Sequence, residues 1–141
     1  KVLLKNEEND IYETLCELGF PFETFLMEFY FTFGASLFSS EFLWRLWNMI
    51  FLQKQLDDQT IPSQLLACAM VSILKGSNDK LNNVTTAKGA VAFIETKAKF
   101  PNEISEVLSN TLSLHSKYFP FNFETPEAKP GFFREIIHLK N

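Results

Sequence analysis

Apolar side chains recur along this chain every three or four residues, which is the period of an α-helix. The clearest case is the segment 62–75, whose leucine, alanine, methionine and isoleucine residues follow one another at i, i+3, i+4 and i+7. Glycines and prolines stand between the periodic segments, where they end one helix or begin the next. No segment alternates convincingly with the period of two that a strand requires. The pattern predicts an all-α fold of about six helices, over residues 7–18, 22–33, 39–53, 62–75, 86–98 and 104–118.

The segment 39–53 is apolar almost all the way round. Ser39 or Ser40 can cap its first turn, because a serine hydroxyl accepts a hydrogen bond from a free backbone N–H group. Its polar exceptions are Glu41, Arg45 and Asn48, which form one narrow stripe along a helix. A helix with so thin a polar stripe must be covered on most sides. We therefore expect this Trp-rich segment, with Trp44 and Trp47, to be the central core helix of the domain.

The helical pattern stops at Phe119, which divides the chain into a helical domain, 1–118, and a tail, 119–141. Three prolines punctuate the tail before a short segment, 132–139, that can form a helix. Phenylalanine has no polar group, so each exposed one is costly unless a partner covers it. The tail either forms a partner-binding surface or wraps back over the core, and its candidate contact residues are Phe119, Phe121, Phe123, Phe132 and Phe133.

The composition of the chain argues against some classes of function. The 141 residues carry a formal net charge of −4, which argues against a nucleic-acid-binding protein because such proteins cluster Lys and Arg. No apolar run reaches the roughly 18 residues that span a bilayer. Cys16 and Cys68 lie far apart within apolar patterns, which predicts two buried free thiols. The chain begins at Lys1 rather than a methionine, so we expect a leading segment upstream of it.

Catalytic chemistry is not evident from the residues. His115 and His138 have no His or Cys partner at ligand spacing, so neither is expected to hold a metal. Neither a nucleophile elbow nor a phosphate-binding glycine loop occurs in the sequence. We therefore predict no catalytic residue, no cofactor and no metal site.

Residues 25–74 resemble a known family. An aromatic helix is followed by Phe42-Leu43-Trp44-Arg45-Leu46-Trp47-Asn48 and then, after an acidic loop, by an apolar helix. This order is similar to the C-terminal half of TBC domains, which activate the GTPase of Rab proteins. Arg45, Leu46 and Trp47 match the family's Arg-Ile-Trp-Asp-like motif, and Asn48 stands where aspartate is usual. The resemblance implies the fold of a TBC C-terminal lobe.

The same resemblance argues against catalysis by this chain. TBC domains stabilise the transferred phosphoryl group with an arginine finger and a glutamine finger, in Ile-x-x-Asp-x-x-Arg and Tyr-x-Gln motifs. Neither motif occurs in this sequence, and Arg45 and Arg134 stand in the wrong context to replace the arginine. The resemblance therefore predicts a non-catalytic module that binds or regulates a Rab-type GTPase.

An alternative function remains open. The chain can instead be a non-catalytic structural or scaffold protein, docked among the subunits of a larger intracellular assembly such as a cytoskeletal one. Both hypotheses predict protein partners, no nucleic acid and no transmembrane segment. Both also predict a cytoplasmic location, associated with either membrane traffic or the cytoskeleton.

Overall fold

The computed structural model describes residues 1–101 and 103–120 of the chain. Every element in this part of the chain is a helix, which confirms the predicted all-α class. The helices are α1 (Val2–Glu7), α2 (Asn9–Glu17), α3 (Phe22–Phe31), α4 (Ser40–Leu56), α5 (Pro62–Leu74), α6 (Asn78–Leu81), α7 (Ala87–Lys99) and α8 (Ile104–Tyr118).

Three of the helices begin where local chemistry predicts. The Ser39 hydroxyl accepts a hydrogen bond from the Phe42 N–H group at 3.3 Å and so caps α4. Thr86 caps α7 in the same way, with its hydroxyl 3.0 Å from the Gly89 nitrogen. Pro62 is the first residue of α5, where its missing N–H group removes no helical hydrogen bond. Side-chain capping and proline placement therefore account for these three boundaries.

Helix α5, rather than α4, lies at the centre of the fold. Nine of the 13 residues of α5 are buried, and it makes its most extensive contact with α8 while also packing against α1, α4 and α7. In the 17-residue α4, the buried residues are Phe42, Leu46 and Ile50. These three lie four residues apart and form one stripe along the helix. The prediction of a central Trp-rich helix is therefore wrong, because α4 turns apolar side chains outward as well as inward.

The N-terminal region contains one helix more than the pattern predicts. The predicted helix over 7–18 is α2, and a separate helix, α1, precedes it and buries Leu4. The chain bends between them at Glu8, whose φ of −137° and ψ of 65° are not helical. At the other end of the domain, α8 ends at Tyr118, which is also its predicted last residue. The short helix α6 lies between α5 and α7 and is not among the six predicted helices.

Helix α4 extends three residues beyond its predicted end at residue 53. The added turn carries Lys54, Gln55 and Leu56. The sequence pattern predicts that these residues belong to a polar loop before α5. Lys54 lies in the last turn, where a cation favours the negative end of the helix dipole. The extension matters because it adds Leu56 to the outward-facing side chains of the helix.

Candidate functional site

The outward side of α4 carries four large apolar side chains. Trp44 is 67% exposed, Leu56 is 80% exposed, and Phe51 and Leu52 are also exposed. Trp44 and Phe51 lie seven residues apart and therefore on the same side of the helix, whereas Leu52 and Leu56 lie one turn apart near its C-terminal end. We call these four residues the α4 apolar surface. An exposed group of large apolar side chains on one helix is a candidate contact surface.

Polar residues of the predicted motif run alongside the α4 apolar surface. Arg45 and Asn48 are exposed, and the Arg45 guanidinium donates to the Glu41 carboxylate at 3.3 Å, one turn away. Both charged side chains are at least half exposed, so this ion pair contributes little to stability. An arginine beside a tryptophan is a combination enriched at the energetic centres of protein interfaces. Trp44, Arg45 and Asn48 therefore all belong to the solvent-facing side of α4.

Trp47, the third residue of the predicted motif, lies on the flank of the helix, between its exposed side and the buried stripe. Its indole N–H group donates to the Phe33 carbonyl oxygen at 3.0 Å, and the two rings lie 6.0 Å apart between centroids. Trp47 is half-buried. This contact holds α4 against the segment that follows α3. The structure therefore separates the two tryptophans: Trp47 anchors the helix, and Trp44 faces solvent.

Phe33 is held in an unusual backbone conformation. Its φ of 54° lies in the left-handed region, which costs a residue with a side chain roughly 1–2 kcal/mol. Gly34 follows with a φ of 85°, and a Cβ atom there would lie 2.9 Å from the Phe38 ring. The hydrogen bond from Trp47 and the ring contact stabilise Phe33 in this position. Strain of this kind is often found where a structure holds a side chain for a function.

Phe33 lines an apolar groove of about 470 Å³ between α3, α5 and the end of α8. Aromatic and aliphatic side chains form most of its walls, with two polar residues from the first turn of α5 at the edge. The lining residues are Tyr30, Phe33, Ser63, Gln64, Leu66, Ala67 and Phe119. We call this cavity the α3–α5 groove. The groove is open to solvent and its walls are largely apolar.

Phe119 is the predicted tail residue that the structure describes, and it lies in the wall of the α3–α5 groove. Its ring lies 5.5 Å from the imidazole of His115, one turn earlier on α8. Burial lowers the pKa of His115, although the Asp57 carboxylate opposes this shift, and the Nε2 atom is buried with no hydrogen-bond partner among the described residues. Phe121, Phe123, Phe132 and Phe133 lie outside the described residues, as do Arg134 and His138.

A polar contact joins the two ends of the described chain. The Glu7 carboxylate accepts hydrogen bonds from the Lys117 ammonium and the Tyr118 hydroxyl, so that α1 is tied to α8. These two donors lower the pKa of Glu7. Burial raises the pKa of the neighbouring Glu8, although the Lys75 ammonium opposes that shift. A cavity of about 210 Å³ lies beside this contact, between α1, α5 and α8.

The two cysteines differ in exposure. Cys68 is buried in α5, and burial raises the pKa of its thiol to about 11. Cys16 is a free thiol as predicted, but it is exposed on α2, so the prediction that both are buried is wrong for this residue. Within residues 1–101 and 103–120, no group of three or more His, Cys, Asp or Glu side chains is arranged to hold a metal ion.

Sequence reasoning identified the motif residues but not the way the fold divides them. It placed Trp44 and Trp47 together in the core, whereas the structure brings Trp44, Arg45 and Asn48 to one outward side. It also missed the α3–α5 groove, whose walls come from three helices far apart in the chain. The aromatic content was the one signal of an apolar surface, and it did not indicate which rings are exposed.

Comparisons with known proteins do not assign this chain to a family. No family model matches it, and neither a curated protein nor a solved structure shows significant similarity to it. Among the described residues, no helix combines the length and apolar character needed to cross a membrane.

Proposed function

We propose that this chain is a non-catalytic helical module that binds a protein partner through the α4 apolar surface. We further propose that the partner is a Rab-type small GTPase. The observation that carries the proposal is the exposure of Trp44, Phe51, Leu52 and Leu56 on one helix whose opposite side is buried.

A protein partner fits the chemistry of this surface. Protein interfaces combine aromatic and arginine residues with a polar surround, and Trp and Arg carry a large share of binding energy. Trp44 and Arg45 supply those two residue types next to each other, and Asn48 and Gln55 supply amide groups on the same side of the helix. The helix is fixed from behind by Phe42, Leu46 and Ile50, so little ordering is needed on binding.

The resemblance to TBC domains selects the class of partner. The residues that match the family motif, Arg45, Leu46 and Trp47, are on α4, the same helix that carries the exposed surface. The sequence has neither the arginine-finger motif nor the glutamine-finger motif of that family. The proposed activity is therefore binding of the GTPase without acceleration of GTP hydrolysis.

A direct binding assay tests this proposal. The purified chain is titrated by calorimetry against a panel of Rab-type GTPases, each loaded with GDP or with a non-hydrolysable GTP analogue. We expect at least one GTPase to bind, and Trp44→Asp to weaken its binding by about tenfold or more, because a truncated hot-spot aromatic costs over 1 kcal/mol. The rate of GTP hydrolysis should stay unchanged at saturating concentrations of the chain.

The matched control is Phe100→Asp. Phe100 is 73% exposed and follows α7, so the variant changes an equally exposed aromatic residue away from α4. We expect this variant to bind as the unsubstituted chain does, and both variants to keep the helical circular dichroism. The proposal is wrong if no GTPase of the panel binds, or if Trp44→Asp binds as tightly as the parent.

A second candidate function is a structural subunit of a larger assembly. The observation that favours it is a second exposed apolar site, on α3, where Met27 and Phe31 lie one turn apart and Phe31 is 82% exposed. A subunit that contacts two neighbours needs two such surfaces, whereas a GTPase-binding module needs one. This hypothesis shares the non-catalytic role and replaces the GTPase with assembly subunits.

Paired variants distinguish the two functions. Chemical cross-linking in cells with the unsubstituted chain, Trp44→Asp and Phe31→Asp identifies the neighbours that depend on each surface. A structural subunit should lose one set of neighbours in Trp44→Asp and a different set in Phe31→Asp. A GTPase-binding module should lose its GTPase in Trp44→Asp and lose nothing in Phe31→Asp.

A further inference from the structure

Acidic and basic residues are separated along the chain. Residues 6–44 contain no Lys or Arg, although the whole chain has 13. The same segment carries eight of the 17 acidic residues, which are Glu7, Glu8, Asp10, Glu13, Glu17, Glu23, Glu28 and Glu41. Its formal charge is therefore −8, and because the whole chain carries −4, the rest of the chain is net positive. Helices α2 and α3 lie entirely within this acidic segment, so their solvent-facing sides attract cationic groups.

Helix α3 presents apolar side chains to solvent inside the acidic segment. Glu23, Met27 and Phe31 are spaced four residues apart, so they form one line along the helix. Phe31 is 82% exposed and Met27 is 57% exposed, whereas Phe29, on the opposite side, is buried. Glu28 is exposed beside Met27. We call Glu23, Met27, Glu28 and Phe31 the α3 surface, which combines two large apolar side chains with two carboxylates.

The negative charge of the α3 surface is available to a partner. The Glu23 carboxylate lies 3.6 Å from the Lys1 ammonium, but its side chain is 93% exposed, so this ion pair contributes little and can be exchanged. Among the described residues, no Lys or Arg side chain forms an ion pair with Glu28. The last turn of α3 also has no basic residue, so the partial negative charge of the helix C-terminus, where Phe31 lies, adds to that of the carboxylates.

Apolar area and negative charge together define the chemistry of a partner. A nucleic acid or an anionic lipid surface would be repelled by the carboxylates. A purely apolar partner would remove water from the carboxylates without replacing its hydrogen bonds, which is costly. An amphipathic helix with leucine or phenylalanine on one side and Lys or Arg along its flanks supplies both kinds of contact. The flexible side chain of Met27 can adapt to the shape of such a helix.

We propose that the α3 surface binds a Lys- or Arg-rich amphipathic helix of a partner protein. Met27 and Phe31 contact the apolar side of that helix, and Glu23 and Glu28 pair with the cations on its flanks. The inference rests on the second candidate function, in which α3 contacts a neighbouring subunit. It does not involve the residues of the α4 apolar surface.

Peptide binding to the purified full-length chain tests the proposal. The probe is a labelled helical peptide of about five turns, made of leucine and lysine, with its leucines on one side. One control peptide has the same composition in an order that spreads the leucines around the helix, and a second has glutamate in place of lysine. We expect fluorescence anisotropy to show binding of the amphipathic lysine peptide, much weaker binding of the reordered peptide and no binding of the glutamate peptide. Binding should also weaken as salt is added, because exposed charges are screened.

Variants of the chain locate the binding site. Phe31→Asp and the double variant Glu23→Lys/Glu28→Lys should each weaken binding of the lysine peptide by about tenfold or more, since they remove an apolar contact and reverse the charge respectively. The matched control is Glu103→Lys/Glu106→Lys, which makes the same change of net charge at exposed positions at the start of α8. This control should bind the lysine peptide as the unsubstituted chain does. All three variants should keep the helical circular dichroism.

Three results would overturn the proposal: no binding of the lysine peptide, equal binding of the reordered peptide, or equal weakening by the α8 double variant and the α3 double variant. Cross-linking in cells separates this inference from the function on which it rests. If Phe31→Asp loses neighbours in cells but the lysine peptide does not bind the purified chain, the second candidate function stands and this inference alone is wrong. An unchanged set of neighbours in Phe31→Asp would overturn both.

Discussion

Trp44 and Trp47 are three residues apart on the same helix and have opposite environments. Trp47 donates its indole N–H group to the Phe33 carbonyl oxygen and packs on that ring, whereas Trp44 is 67% exposed. Their positions on the helix explain the difference, since residue 47 is next to the buried stripe of residues 42, 46 and 50 and residue 44 is opposite to it. Residue type alone does not distinguish the half-buried tryptophan from the exposed one in this chain.

The two alanine variants should therefore differ in stability. Trp47→Ala removes a packed ring and a hydrogen bond to a strained residue, and we expect it to lower the free energy of unfolding by about 3 kcal/mol. Trp44→Ala should change it by less than about 0.5 kcal/mol, because the side chain is mostly in water. Urea denaturation followed by circular dichroism measures both values. Equal losses in the two variants would contradict this assignment of roles.

The two thiols should react at very different rates. Cys16 is exposed, whereas Cys68 is buried in α5 with its pKa raised to about 11, so little thiolate forms there at neutral pH. We expect a thiol-specific reagent to label one cysteine of the native chain quickly and the second one after unfolding in urea. Peptide mapping should assign the fast label to Cys16, and Cys16→Ser should remove it. Rapid labelling of both thiols in the native state would show that α5 is not protected.

At the level of elements, the contact between α1 and α8 depends on ionised Glu7. Its pKa is lowered by hydrogen bonds from Lys117 and Tyr118, so the folded state favours the carboxylate more than the unfolded state does. Stability from this group is therefore present above the ordinary glutamate pKa and is lost as the pH falls through the lowered value. The contact between α1 and α8 should therefore weaken at acidic pH.

Glu7→Gln tests this dependence. We expect the unsubstituted chain to be more stable than Glu7→Gln at about pH 6, and the difference to shrink as the pH falls below the ordinary glutamate pKa and the carboxylate is protonated. Thermal unfolding across this range measures the difference. Glu13→Gln is the control for the loss of an exposed carboxylate, because Glu13 is exposed on α2. A constant difference at all pH values would contradict a role for the charge.

The sequence predicts individual helices better than their arrangement. Helix type, the caps at Ser39 and Thr86 and the start of α5 at Pro62 follow from local chemistry. The central, buried position of α4 in the fold was predicted wrongly. The hydrophobicity of a side chain indicates that it can be buried, but it does not indicate that a neighbouring element covers it. The apolar side chains on the outward side of α4 would be buried, as the sequence pattern predicts, only if another molecule covered them. The α3–α5 groove depends on tertiary packing, for which a single sequence carries no local signal.

At the scale of the whole molecule, packing and exposed surface are divided between two helices. Helix α5 gathers the core, with nine buried residues, whereas α4 contributes one buried stripe and presents an apolar surface to solvent. This division means that changes to the exposed side of α4 can test the proposed partner binding while the core stays intact. It also provides a spectroscopic signal, since one of the two tryptophans lies at the proposed interface.

Fluorescence of Trp44 should therefore report partner binding directly. In Trp47→Phe the remaining tryptophan is Trp44, and the variant keeps an aromatic ring against Phe33 while losing the indole hydrogen bond, a change of about 1 kcal/mol. We expect the emission of Trp44 to shift to shorter wavelength, and its quenching by acrylamide to fall, when the GTPase of highest affinity is added. Trp44→Phe, which retains Trp47, should show a much smaller change. If Trp44 stays as accessible to acrylamide in the complex as in the free chain, the partner binds elsewhere and the α4 apolar surface is not the interface.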